Sequence, residues 1–295
     1  MPTVALRRAA FWLIALGVCG LLPAASADSG AAQRTLRLGG YALSVEPVAG
    51  AGGMGEELLT IRKDGRLSYA ETGARIQFST PDEPLADLPE MLPITGDGAR
   101  DIVVQSYSGG AHCCFTVTIV TLADSLTSSR PLDTQSAGAR LFKLPQGGRY
   151  GIETAEGTFD YWRSPFVASP KPRLFLRYDA ASGRYRLVPT LMRKPAPSRA
   201  VLDATAKQLR DDPEAWAGAP EWVNPAYLRA VIDLVYGGNL EAAHVLAAEA
   251  WPDSRPDRDA FLRDLFSCRL PSSPWWSDIA ALDGIKPYGP APDCR

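Results

Sequence analysis

Residues 101–122 read DIVVQSYSGGAHCCFTVTIVTL, two long apolar runs rich in β-branched residues on either side of a Gly-Gly turn. Such runs joined by a short glycine-containing connection predict the two antiparallel strands of a hairpin. Further short β-like runs lie on both sides of this stretch, from about residue 34 to residue 191. In residues 58–71 the Asp64-Gly65 pair predicts a second hairpin, and residues 159–162 (FDYW) also look like a short strand.

The spacing of apolar residues becomes helical after a proline-rich segment at residues 193–198. Ser198 is a candidate N-cap for a helix that runs to about Arg210, Asn224-Pro225 is a strong helix start, and Asn239 is a candidate cap for the next helix. We therefore predict an α+β protein. Residues 28–195 form a mainly antiparallel β domain, either a sandwich or a partial propeller-like sheet. Residues 196–295 form a small helical domain, or a helical layer packed on the sheet.

The first 27 residues have the pattern of a secretory signal peptide. Arg7 and Arg8 precede an apolar run over residues 9–22, and Ala25-Ser26-Ala27 is a typical cleavage site. The apolar run is shorter than the roughly 20 residues of a membrane-spanning helix, although an uncleaved anchor or a lipid on Cys19 remain alternatives. We expect cleavage after Ala27, a periplasmic or secreted protein, and no transmembrane segment in the mature chain.

Charge and composition limit the classes of partner that this protein can have. The formal net charge is −2 and 46% of the residues are hydrophobic, which indicates a real core and argues against a nucleic-acid partner. We expect a protein, peptide or glycan ligand in the cell envelope.

Five cysteines are present, and Cys19 would leave with the signal peptide. An even number of cysteines in an oxidising compartment favours disulfides. A Cys268–Cys294 bond would tie down the proline-rich C-terminal tail and leave Cys113 and Cys114 for each other. Other pairings remain open, as does a metal site in which these thiolates join His112.

Candidate catalytic residues are few, because the chain holds only two histidines and lacks the nucleophile-elbow, zinc-helix, P-loop and dinucleotide motifs. We expect a non-enzymatic binding or envelope-interaction module without a cofactor. The alternative is a thiol-redox or hydrolytic enzyme that uses His112, Cys113 and Cys114. Four aromatic residues could line a sugar or peptide groove or else fill the core: Tyr161, Trp162, Trp275 and Trp276.

Residues 96–101 read GDGARD and precede a β-run. This segment resembles the core of an FG-GAP repeat, the blade unit of integrin-α-type propellers, in which the loop D-x-N-G-D-G-x-x-D can bind Ca²⁺. Only Asp97 and Asp101 match the ligand positions, since Pro93 and Thr95 occupy two others. The resemblance implies a weak calcium site or a turn in which the carboxylates bond backbone.

The larger pattern is also informative. GDGxxD followed by SYSGGAHCC, and then a helical end with YGGN, AAEAWP and SPWW, resembles a set of uncharacterised exported proteins of Gram-negative bacteria. That resemblance implies a cell compartment and no activity.

Overall fold

A computed structural model gives the structure, and it describes residues 32–48, 55–111, 114–219 and 221–294. In this part of the chain, thirteen strands form three antiparallel sheets. The first sheet has the order β1 (Arg34–Leu38), β2 (Tyr41–Pro47), β3 (Glu57–Lys63) and β4 (Arg66–Gly73). The second contains β5 (Arg75–Ser79), β6 (Arg100–Tyr107), β7 (Phe115–Leu122) and β8 (Thr127–Ser128), with β9 (Leu132–Gln135) also paired to β7. The third contains β10 (Arg140–Lys143), β11 (Tyr150–Ala155), β12 (Arg173–Asp179) and β13 (Arg184–Leu187).

Both predicted hairpins are confirmed. Strands β6 and β7 pair along their whole length, from Arg100 opposite Leu122 to Tyr107 opposite Phe115. Strands β3 and β4 are joined by Asp64 and Gly65, whose φ angles of 50° and 78° are those of a tight primed turn. The predicted α+β class is therefore shown.

The three sheets stack face to face with the second sheet in the middle. Ile102 and Val104 of β6 join a core with Leu59 and Ile61 of the first sheet. Val103, which lies between these two residues in the strand, belongs to a second core that contains residues of the third sheet. Successive side chains of a strand point to opposite faces, so β6 is buried on both sides. This explains why residues 102–104 form an unbroken apolar run instead of an alternating one.

The α-helices of the described chain are α1 (Pro189–Met192), α2 (Arg199–Arg210), α3 (Pro225–Tyr236), α4 (Leu240–Glu249), α5 (Arg258–Arg263) and α6 (Trp276–Ala280). A π-helix lies at Asp264–Arg269, and short 3-10 helices include Phe166–Ala168. The α-helices form a layer on the third sheet, because Leu228 and Val231 of α3 belong to the same core as Ile152 and Leu174. Residues 32–295 form one compact unit. No helix in the described residues has the length and apolar character needed to cross a membrane.

Of the two predicted asparagine N-caps, one forms the expected hydrogen bonds and the other does not. The Asn224 side chain accepts hydrogen bonds from the backbone amides of Ala226 and Tyr227 at 2.8 and 3.3 Å, as its predicted capping role requires. Asn239 occupies the N-cap position of α4 but its side chain does not cap it. Its amide group donates instead to two backbone carbonyls outside α4, and the Asp283 carboxylate accepts the bond from the amide of Leu240.

The strand predicted at residues 159–162 is wrong, since these residues form turns. Phe159 is fully buried, and its ring contacts those of Trp162 and Tyr236. The aromatic character that suggested a strand therefore serves packing at the junction between the third sheet and the helices.

The Cys268–Cys294 disulfide predicted from the sequence is present, with the two Cα atoms 5.4 Å apart. It fixes the C-terminal tail to the π-helix. The tail makes two further bonds there: the amide of Ala291 donates to the carbonyl of Ser267 at 2.9 Å, and the Tyr288 hydroxyl donates to the carbonyl of Phe266 at 3.0 Å.

Candidate functional site

The turn that carries the adjacent cysteines is described only in part. His112 and Cys113 lie outside the described residues, so their predicted roles and the Cys113–Cys114 bond remain predictions. Cys114 is disulfide-bonded. Its amide donates to the Ser108 hydroxyl at 2.9 Å and its carbonyl accepts from the Ser108 amide at 3.0 Å, which closes the end of the hairpin.

Asp97 and Asp101 lie together in a hydrogen-bonded turn. Asp101 is fully buried, and its carboxylate accepts bonds from the backbone amides of Ile94 and Thr95, both at 2.8 Å, and from the Thr121 hydroxyl at 2.7 Å. Asp97 accepts from the backbone amide of Ala99 at 2.9 Å. Protein donors thus occupy these carboxylates. Among the described residues, no group of three or more histidine, cysteine and acidic side chains is placed to hold a metal ion.

A cleft of about 490 Å³ opens beside the cysteine turn. Tyr107 and Phe115 form one side of it, because the last residue of β6 pairs with the first residue of β7 and their rings stack at 4.8 Å. Phe166 and Lys171 reach it from the long loop at residues 156–172, and Ser136 and Ala137 reach it from the β9–β10 connection. The cleft is therefore built from three segments that are distant in sequence.

The polar groups of this cleft bond mainly to one another. The Lys171 ammonium donates to the Ser136 hydroxyl at 2.7 Å, pairs with Asp160, and lies 4.1 Å from the centre of the Phe166 ring. The Tyr107 hydroxyl donates to the carbonyl of Gly110. The surface left for a ligand is consequently apolar and aromatic, with a cation at its edge.

A second cleft, of about 690 Å³, continues from the first and shares four lining residues with it: Phe115, Ser136, Ala137 and Ala155. Its far end is charged, with Arg140 and the Arg173–Glu153 ion pair, in which Arg173 Nε lies 2.9 Å from Glu153 Oε1. We call the two clefts together the Phe115 groove. Small residues lie between its ends, so a ligand backbone can approach closely.

The loop at residues 156–172 is held under backbone strain. Tyr161 and Arg163 have φ angles of 58° and 54°, in the left-handed region that non-glycine residues seldom adopt. The Ser169 hydroxyl accepts from the Tyr161 amide at 3.0 Å, and the Arg163 guanidinium pairs with Asp264 at 2.7 Å. These contacts hold the loop in place, and the loop in turn positions Phe166 and Lys171 at the groove.

Gly157 in this loop lies directly against the Gln135 side chain. A Cβ added at Gly157 would stand 1.8 Å from Oε1 of Gln135, the last residue of β9. The loop also presents exposed apolar side chains, since Tyr161 is 60% exposed and Val167 is 92% exposed. Strain and exposed apolar groups in one segment mark it as a candidate for binding.

A buried acid lies at the start of the loop. Burial raises the pKa of the Glu156 carboxyl above its ordinary value, although the hydroxyls of Thr158 and Tyr236 donate to it. Burial, and then the charge of Glu156, raise the pKa of Tyr236. The bond from Tyr236 links Glu156, which follows β11, to α3. Glu156 is only 4% exposed, so its carboxyl is shielded from any ligand in the groove.

The tryptophans considered as groove residues pack against the core, and Trp162 and Trp275 are half-buried. Trp276 is 4% exposed, and Trp162 and Trp275 lie against the core shared by the third sheet and the helices. The residues that line the Phe115 groove were not predicted from the sequence. The available signal was the pair of aromatics, Tyr107 and Phe115, that flanks the Gly-Gly turn.

Comparison of the chain with protein-family models, curated proteins and solved structures found no match.

Proposed function

We propose that this protein is a binding module and that the Phe115 groove holds an extended peptide segment of a partner protein. The observation that carries this proposal is the continuity of two clefts, about 490 and 690 Å³ in volume, through Phe115 and Ala137. An extended chain of several residues needs such a long groove, whereas a compact ligand needs a single enclosed cavity.

The lining supports a peptide over a glycan. A glycan is held by many side-chain hydrogen bonds, whereas Lys171, Ser136 and Tyr107 already bond to protein groups. Stacked aromatic rings and small residues suit an apolar side chain and a closely approaching backbone. The charged end with Arg140 suits an acidic residue of the same peptide.

We also propose that the chain is exported and cleaved after Ala27. The N-terminal pattern and the Cys268–Cys294 bond support this, because disulfides persist in oxidising compartments. N-terminal sequencing of protein purified from a bacterial periplasm or culture medium tests it. Asp28 is the expected first residue, and recovery of the intact chain only from the cytoplasm would contradict the proposal.

The peptide proposal is tested with a displayed library of random peptides, screened against the purified mature protein. An enriched peptide is then labelled, and its affinity is measured by fluorescence anisotropy. Ala137→Trp fills the groove at an exposed residue that lines both clefts, and we expect a loss of affinity of about tenfold or more.

Ala181→Trp is the matched control, since Ala181 is exposed on the turn between β12 and β13, away from the groove. It should bind the peptide as the wild type does. Enrichment of no peptide, or equal binding by the wild type and the Ala137→Trp variant, would overturn the proposal.

A further inference from the structure

A third cleft, of about 440 Å³, lies between the start of β12 and helix α3. Its charged and hydroxyl-bearing lining comes from several elements: Ser169, Lys171, Arg173, Lys194, Arg229, Asp233 and Tyr236. Four cationic side chains thus face one carboxylate, in a protein whose formal net charge is −2. Val167 of the strained loop lines this cleft, whereas Phe166 lines the Phe115 groove.

Two of the four cations are already paired, Lys171 with Asp160 and Arg173 with Glu153. Neither Lys194 nor Arg229 forms an ion pair within the described residues. No carboxylate lies within ion-pair distance of these two side chains in the described residues, and Asp233 is the one acid of the cleft lining.

Lys194 is held in position although it is exposed. Its amide donates to the carbonyl of Gly237 at 2.9 Å, and its carbonyl accepts from the Asn239 side chain at 3.1 Å. Its aliphatic stem runs past Gly237, where an added Cβ would come within 3.3 Å of the Lys194 Cβ and Cδ atoms. The backbone of Lys194 is thus fixed before any ligand binds, which lowers the entropy lost on binding.

Stabilisation of the helix dipole explains only one of these cations. Lys194 lies near the C-terminal end of α3, where a positive charge is favourable. Arg229 lies in the second turn of the same helix, where the dipole gives it no advantage. Asp233, four residues further along the same helix, is the one carboxylate that shares the cleft with it.

We propose that the third cleft binds a small organic molecule through an oxyanion group, a carboxylate or a phosphate, held between Lys194 and Arg229. Arginine presents a planar fork of donors to two oxygens, and lysine adds a compact charge. The volume of about 440 Å³ lies in the range of small-molecule sites and exceeds the needs of a free inorganic ion. This site goes beyond the proposed peptide groove, with which it shares only Lys171 and Arg173 among its lining residues.

Isothermal titration calorimetry of the mature protein in Tris chloride tests the proposal, with inorganic phosphate in one arm and citrate in the other. We expect saturable binding at one site in at least one arm, and the tighter arm identifies the preferred oxyanion. Lys194→Ala combined with Arg229→Ala should weaken binding about tenfold or more, because it removes two charge-assisted hydrogen bonds. Asp233→Asn removes the one carboxylate of the lining and should strengthen binding severalfold.

The control is Arg66→Ala combined with Lys143→Ala, which also removes one arginine and one lysine, both exposed and outside the cleft. It should leave the affinity within about twofold of the wild type, since distant surface charges are screened. Circular dichroism checks that every variant is folded. Absence of binding in both arms, or equal losses in the two double variants, would overturn the proposal. Peptide binding in the Phe115 groove is measured separately, so either proposal can fail alone.

Discussion

Asp101 is a carboxylate with no solvent exposure that accepts hydrogen bonds from the amides of Ile94 and Thr95 and from the Thr121 hydroxyl. The Thr95 hydroxyl lies 3.0 Å from an oxygen of Asp97 and 3.0 Å from an oxygen of Asp101, so its one hydrogen can serve either. The GDGxxD segment therefore uses its acids to tie the loop before β6 to the second sheet.

Asp101→Asn should lower the free energy of unfolding by about 3 kcal/mol, because an amide group cannot accept from all these donors and leaves buried amides unbonded. Urea denaturation measures the change. Asp97→Asn, at the exposed end of the same turn, should cost about 1 kcal/mol. If calcium raised the melting temperature of the wild type and of neither variant, the segment would be a cation site instead.

Glu156 should make stability depend on pH in an unusual direction. Its carboxyl has a pKa raised by burial above the ordinary 4.5, so the folded state binds the proton more tightly than the unfolded chain does. The stability that this proton contributes is present below about pH 4.5 and is lost as the pH rises through the higher pKa of the folded state.

Comparison of the wild type with Glu156→Gln isolates this effect from the other carboxyls. Relative to the variant, the wild type should lose stability as the pH rises above about 4.5, as measured by denaturation at each pH. Parallel stability curves for the two proteins would show that Glu156 does not take part.

At the scale of elements, Asn224 and Asn239 show how far a local signal reaches. Both precede a helix, yet only Asn224 accepts bonds from the first turn of its helix. Asn239 is used by the segment around Lys194, which lies next to it only in the folded protein. The position of a cap is therefore a local property, whereas the partner of a capping side chain can be set by tertiary contacts.

The C-terminal tail is an element whose stability depends on one covalent bond. Cys268→Ser should lower the free energy of unfolding by about 3.5 kcal/mol, the loop-closure value for cysteines separated by 26 residues. Guanidinium denaturation without reductant measures this. The same variant should match the wild type treated with dithiothreitol more closely than the untreated wild type. A loss below about 1 kcal/mol would show that the bonds of Ala291 and Tyr288 hold the tail unaided.

At the scale of the whole molecule, the helices and the third sheet share a core. Leu228 of α3 and Leu174 of β12 lie in it together, and Tyr236 of α3 donates to Glu156 beyond the end of β11. Separation of these layers would expose a large apolar surface and a buried acid. The change of sequence pattern near residue 195 marks a change of secondary structure within one compact unit.

Thermal unfolding of the mature protein should accordingly be a single cooperative transition. Differential scanning calorimetry should show one transition whose calorimetric and van't Hoff enthalpies agree. Two separated midpoints would show that residues 196–295 unfold independently. A chain of residues 28–195 alone should fail to give a cooperative transition, because one face of its third sheet would be exposed.

The sequence by itself determined the class of the fold, the hairpins at Asp64-Gly65 and around the Gly-Gly turn, and the helix start at Asn224. It favoured the Cys268–Cys294 pairing, which the structure then selected from the alternatives. Turns, caps and strand runs depend on residues within a few positions of each other, so their signals are visible in a linear pattern. The aromatic run at residues 159–162 gave a wrong strand prediction. Apolar residues occur both in strands and in buried turns that pack against a core, so a local pattern does not separate the two.

Only the tertiary structure decided where the clefts of this protein lie. The Phe115 groove needs Phe115, Ala137 and Lys171 from three separate segments, and the third cleft needs Lys194 beside Arg229. Their proximity results from the stacking of three sheets and a helical layer, which is driven by burial of apolar surface without any local sequence signal for it. Local sequence signals thus set the helices, strands and turns of this protein, and the packing of these elements set its clefts.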